Sequence, residues 1–278
     1  MKISQILKDA EKGNLEFCSK CLWSPKQNPS ISFGISCTEH GVDWANDNKA
    51  NSMLIVQDPG DTTPQDTGRL CAVHNAANPS DKTAQQSNKL WSATVSLEYK
   101  SPEKNGYMRE HYWTNAVMHG ASKKTSLRTT SLPPKQVQKC CSNILASQII
   151  SLQPKVIIAC GTVAVNSLHE IGILKNRWDI VRHSFNKGAY KQVITKWRDA
   201  PEFIVFCTYH TSSGVVNRTV SRNYNFIETE KCIKEKLEKL NSPKSVEEFL
   251  SEYSDTQNAA SKGMRYLLNH WLDIGVGT

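Results

Sequence analysis

The sequence predicts an α/β fold with a mostly parallel central sheet flanked by helices in three layers. Three observations predict it. Short apolar runs suited to buried strands recur along the chain. Segments of helical periodicity alternate with them, which is the pattern of a parallel sheet. Polar residues of chemical interest follow the runs at their carboxyl ends, where ligands bind in such sheets.

Taken in order, residues 2–12 read as a short helix, and residues 22–50 are polar, rich in Asn, Pro and Ser, and read as loop. Met53-Leu54-Ile55-Val56 is a buried strand that breaks at the Asp58-Pro59-Gly60-Asp61 turn. Residues 61–88 are again polar, and a loop of that length inside a domain is usually functional or partly disordered. His111 to Met118 reads as a second strand, followed by a basic loop over 120–134 with Lys123, Lys124 and Arg128. The apolar positions Val137, Ile144, Leu145, Ile149 and Ile150 make Val137–Leu152 an amphipathic helix. Pro154 to Gly161 is a third strand ending in glycine, and a helix starts at Thr162. Phe203 to Tyr209 is a fourth strand with His210 at its end. Residues 227–278 are mostly helical. The expected organisation is an N-terminal helix and metal-binding segment over 1–50, an α/β domain over 51–226 and a helical extension over 227–278. Gln57-Asp58, Asn115, Gly161 and His210 all fall at or near strand ends, and so point to one site.

The chain has 278 residues, 34 Lys and Arg against 26 Asp and Glu, and a formal net charge of +8. A basic excess favours a polyanionic partner, because neutralised phosphates release counterions. No window approaches the roughly 18 apolar residues of a membrane span. Met1 to Gln5 carries no apolar signal core. The expectation is an intracellular protein, cytoplasmic and nucleoid-associated, acting as a monomer.

The nine cysteines are an odd number without the spacing of a secreted disulfide framework. Cys160 and Cys207 lie in strand runs and read as small buried hydrophobes. Cys18-x2-Cys21 followed by Cys37-x2-His40 is complete zinc-ligand spacing within a short polar segment. The favoured expectation is a structural zinc ion on Cys18, Cys21, Cys37 and His40.

Four segments in order also resemble the uracil-DNA glycosylase superfamily, especially the bacterial and archaeal branch that often carries an iron-sulfur cluster. They are Val56-Gln57-Asp58-Pro59-Gly60 with Gly68 following, Thr114-Asn115-Ala116-Val117, the set Cys141, Leu145, Gln148, Ile149, Pro154-Lys155-Val156-Ile157 and Gly161, and His210-Thr211-Ser212. The resemblance covers roughly residues 5–225 and implies a DNA glycosylase that flips a uracil or related deaminated base out of the stack. Cleavage of the glycosidic bond passes through an oxocarbenium-like state, with negative charge moving onto the departing base. Asp58 would orient water and stabilise the cation, and His210 would donate to the leaving base. Asn115, Gln57 and Cys71 form the implied base-binding set. Pro59, Gly60, Ser212, Ser213 and Arg218 would bind flanking phosphates, and Arg222 is a further candidate for backbone contact.

The chain departs from the family pattern in four places. Val56 stands for the first Gly, and Gly60 matches the branches without a thymine-excluding Tyr. Arg69-Leu70-Cys71 replaces x-Pro-Phe, so the stacking aromatic is missing. Thr211 replaces the Pro of His-Pro-Ser. The resemblance also implies a [4Fe–4S] alternative to zinc, held by Cys18, Cys21, His119 and Cys141, with His119 where a Cys is usual. Two other functions compete with the glycosylase: a non-catalytic nucleic-acid-binding member of the same fold, and a metal-stabilised interaction protein working through its C-terminal helices.

Overall fold

The computed structural model of the protein describes residues 3–33, 50–57, 111–121, 132–185, 189–210, 215, 218–253 and 259–277. In chain order the elements are α1 (Ile3–Glu11), β1 (Ser32–Phe33), β2 (Ser52–Val56), β3 (His111–Asn115), β4 (His119–Gly120), α2 (Lys135–Leu152), β5 (Val156–Cys160), α3 (Gly161–Glu170), α4 (Trp178–Ser184), β6 (Tyr190–Ile194), β7 (Phe203–Thr208), α5 (Thr219–Lys239), α6 (Val246–Tyr253) and α7 (Ala259–Gly277).

Five strands form one sheet in the order β3-β2-β5-β7-β6. The first four run parallel, and β6 pairs antiparallel with β7 at the edge. The expected mostly parallel α/β sheet is therefore present. Met53, Leu54 and Ile55 are all fully buried, as are Ile157, Ile158 and Ala159. A strand buried on both faces reads as a continuous apolar run, which is why these two were visible in the sequence. One face, including Met53, Ile55, Ile157 and Val205, joins the core with Ile144, Leu145 and Ile149 of α2 and Val163 and Leu168 of α3. On the other face Phe206 stacks on Trp271 of α7, with ring centroids 4.9 Å apart and 8° between planes. Helices on both faces make the three layers.

Several boundaries differ from the sequence reading. The strand expected over His111–Met118 ends at Asn115, because the next residues leave the ladder to cap β2. Ala116 N–H donates to Val56 O at 2.8 Å and Val117 N–H to Gln57 O at 3.0 Å. The chain then pairs again as β4, antiparallel to β1, a short strand inside the segment expected to be loop. Helix α2 stops at Gln153, which takes a left-handed φ of 48° before Pro154. The strand expected over Phe203–Tyr209 ends at Thr208.

The C-terminal helices pack on the domain. Thr229 Oγ1 of α5 donates to Gly263 O of α7 at 2.9 Å, and α5 runs through position 226/227 without a break. Ile233, Leu237, Leu250 and Tyr266 form a small second core between α5, α6 and α7. Gly275 lies so near the start of β2 that a Cβ there would stand 2.7 Å from Asn51 O. Gly275→Val must displace backbone, and overpacking of this kind costs about 1–3 kcal/mol. The expected result is a lower urea midpoint with an unchanged slope. An unchanged midpoint contradicts the docking of α7 on the sheet.

Among the described residues, no helix is long and apolar enough to cross a membrane.

Candidate active site

In a parallel sheet all carboxyl ends share one edge. Chain order reverses between β2 and β5, and a crevice opens at such a switch point. Gln57 follows β2, Asn115 ends β3, Gly161 follows β5 and His210 stands two residues beyond β7. The structure thus brings these four sequence-selected positions to one edge. A cavity of about 710 Å³ lies there, with Gln57, Gly161, Thr162, His210 and Arg218 in its wall. That size suits a small-molecule or single-nucleotide ligand. Asn115 is buried, paired in register with Val56, and is not part of that wall.

The approach of β5 and β7 at this edge depends on Gly161. It begins α3 with φ +85°, and a Cβ there would meet His210 Cβ at 2.9 Å and its backbone nitrogen at 3.3 Å. Both conditions exclude a side chain. The glycine that ends the third apolar run is therefore what lets His210 sit against the start of α3.

Asn115 is held from below. Gln148 of α2, fully buried, accepts from Tyr112 Oη at 2.9 Å and from Thr114 Oγ1 at 3.0 Å. Its Nε2 points at Met118 Sδ, 3.6 Å away. A buried amide with its oxygen doubly satisfied fixes β3 against α2, and with it the strand end that carries Asn115. Val117 N–H on Gln57 O ties the two site strands together above this network.

Arg218 immediately precedes α5 and is exposed at the cavity rim. Arg222 is exposed one turn further along the same helix. Asp58, Pro59, Gly60, Cys71, Ser212 and Ser213 lie outside the described residues, as do Cys37 and His40.

The structure adds residues that the sequence reading missed. Trp178, Arg182 and Tyr209 also line the cavity. Trp178 opens α4, and its N–H donates to Asn166 Oδ1 of α3 at 3.0 Å. Its ring meets Tyr209 edge-on, 5.5 Å between centroids and 84° between planes. Behind them Phe185 and Tyr224 are buried and stacked at 4.4 Å and 18°. Phe185 contacts both front rings, at 5.7 Å from Trp178 and 5.1 Å from Tyr209. Burial pushes the Tyr209 hydroxyl above its ordinary value, against the pull of Arg182. Only Tyr209 adjoins His210 in the sequence, Trp178, Phe185 and Tyr224 are scattered, and nothing local says that they converge.

A second set of polar groups sits beneath the N-terminal segment, away from the cavity wall. His119 Nε2 lies 3.0 Å from Ala10 O, and its Nδ1 lies 3.9 Å from Cys141 Sγ. The carbonyl only accepts, so Nε2 carries the proton and Nδ1 faces the thiol. Burial holds His119 down at about 4. Cys18 and Cys21 are buried close to Cys140 and Cys141 of α2. Burial foremost, with neighbouring Cys140, raises Cys18 to about 11 and Cys21 to about 12. The donors are soft and of a kind that binds metal. Among the described residues, however, no three His, Cys, Asp or Glu side chains stand close enough together to hold an ion. His119 spends both nitrogens on Ala10 and Cys141. The set Cys18, Cys21, His119 and Cys141 is thus brought to one region without the arrangement a cluster needs. Cys160 and Cys207 are buried strand residues, as expected.

The model of the uracil DNA glycosylase superfamily matches residues 42–240, well over half of the chain. The match spans β2 through α5 and so contains every strand of the five-stranded sheet. No curated protein matches the chain.

Proposed function

Because the chain belongs to the uracil-DNA glycosylase superfamily, we propose that it hydrolyses the N-glycosidic bond of uracil, or of a related deaminated base, in DNA. The observation that carries this reading is the gathering of Gln57, Asn115, Gly161 and His210 at one carboxyl edge of a parallel sheet, in the segment that matches the family.

In this reading the target nucleotide leaves the stack and enters the cavity beside His210. Water adds to C1′ as the bond from C1′ to the base nitrogen breaks, that electron pair goes to the base, and the proton the water loses passes by way of the Asp58 carboxylate to solvent, from which the released base is protonated. His210 donates to the base oxygen where the charge develops. Asp58, next after Gln57 in sequence, orients the water and offsets the cationic sugar. Gln57 and Cys71 bound the base, and Asn115, the third member of the implied base-binding set, ends β3 beside Val56 outside the cavity wall. Pro59, Gly60, Ser212, Ser213 and Arg218 take the flanking phosphates. The abasic strand is left intact, since no lysine is assigned as a Schiff-base nucleophile.

The reading includes a structural zinc ion held by Cys18, Cys21, Cys37 and His40. Its support is the spacing of those four residues, and it enters no catalytic step. Metal analysis tests it: one zinc per chain is expected. A brown protein absorbing at about 400 nm points to iron and sulfide instead.

The activity is tested with single- and double-stranded oligonucleotides carrying one uracil, treated with alkali after incubation. Alkali-dependent cleavage at the uracil, absent from the thymine control, is expected. Tight, salt-sensitive binding without cleavage would instead identify a non-catalytic binder of nucleic acid, the outcome that the Cys71 departure makes worth measuring. Neither cleavage nor binding overturns both.

A further inference from the structure

The sequence has no aromatic residue at the family's stacking position, where Arg69-Leu70-Cys71 stands, yet a flat base in a wide cavity needs a flat surface to pack on. The cavity beside His210 has one in its wall. Trp178 and Tyr209 are half-buried in its wall. Each is backed by the buried Phe185–Tyr224 stack, so neither ring can swing back into the core. The Trp178 backbone is further pinned to Asn166. Arg182 lies one helical turn beyond Trp178 on α4, and Arg218 begins α5. Both are exposed at the same cavity. Rigid aromatic faces flanked by two guanidinium groups form the combination that holds a base and its phosphates in single-strand sites.

We propose that Trp178, with Tyr209 beside it, is the stacking platform for the nucleobase in this cavity, and that Arg182 and Arg218 take the adjoining phosphates. The proposal rests on the glycosylase reading for its substrate. Its geometry requires only that a nucleotide enters. Tyr209 precedes His210 in the chain, so the platform and the group that donates to the base are set by the same strand end. The platform supplies from α4 the aromatic surface that Arg69-Leu70-Cys71 does not.

Loss of one base–aromatic stack weakens binding by about 10- to 100-fold. Trp178→Leu is therefore expected to raise KM for uracil excision by about that factor with kcat changed far less, and Trp178→Phe to recover most of it. A second measurement does not depend on excision. A single-stranded oligonucleotide with one 2-aminopurine should lose emission on binding to the wild-type protein through stacking. It should keep its emission when bound to Trp178→Leu, and lose it again with Trp178→Phe. Unchanged emission with the wild-type protein overturns the platform, as does an equal loss with wild-type and Trp178→Leu. Absence of excision with a Trp178-dependent loss of emission overturns the glycosylase reading and leaves the platform standing.

Discussion

Asp58→Asn and His210→Ala are each expected to lower the single-turnover rate of uracil excision by about 10²–10³-fold, the usual effect of removing one group that stabilises transition-state charge. The double variant is expected to fall by less than the product of the two, because in the proposed reaction both residues act on one charge separation. The physical basis differs between them. Asp58 follows Gln57 in the sequence, and Gln57 O is tied to Val117 N–H. His210 lies beyond β7 against Gly161. Asn for Asp keeps size and removes charge, which separates electrostatics from packing. The expected result leaves oligonucleotide affinity within about 1 kcal/mol, less than tenfold. A rate that survives both substitutions contradicts the assignment of the site.

Gly161→Ala is the second substitution with a large expected effect, and it touches no substrate. A Cβ at Gly161 meets His210 Cβ at 2.9 Å, and φ there is +85°. The strain costs of order 1–3 kcal/mol, and the close contact is relieved only by moving His210 or opening the end of β5 from β7. Excision is expected to fall by at least about tenfold, since a displacement near 1 Å at a catalytic group can cost 10²-fold. The thermal midpoint falls as well. The two effects separate by temperature: well below the midpoint the stability loss is immaterial, whereas the activity loss remains. Activity equal to wild type there would show that His210 does not depend on its contact with Gly161.

Gln57, Gly161 and His210 were visible in the sequence because continuous apolar runs announce strands buried on both faces, and ligands bind beyond their carboxyl ends. Asn115 ends the mixed run His111–Asn115, an edge strand. Strand β6 was not visible. It is an edge strand with Lys191 and Val193 exposed and Tyr190 and Gln192 half-buried. Its polar residues resemble loop, and the next apolar run is already β7. Helix α4 is seven residues long with no side-chain cap at Arg177, too short for periodicity to register. The aromatic wall was hidden for the same reason, since Trp178, Phe185, Tyr209 and Tyr224 meet only in the folded chain. The positive φ of Gly161 also has no local signature, although a glycine at a strand end hints at close approach. The C-terminal helices had an apolar stripe that could face the core or a partner. Trp271 against Phe206 and Gly275 against Asn51 place α7 on the sheet.

The zinc reading rests on spacing alone, since Cys37 and His40 lie outside the described residues. His119, which belongs to the alternative cluster set, is engaged by the Ala10 carbonyl and the Cys141 thiol. The hydrogen bond joins α1 to β4 through a fully buried interface that also contains Ile6, Leu7 and Trp23.

In the proposed reaction a base leaves DNA and the strand stays whole. The most direct measurement is chromatographic and mass-spectrometric analysis of the small-molecule products when excess protein acts on a uracil-containing single strand. Free uracil is expected in a one-to-one ratio with an uncut abasic strand, and neither appears with His210→Ala. Recovery of the intact uracil strand from a saturated wild-type complex would contradict the account.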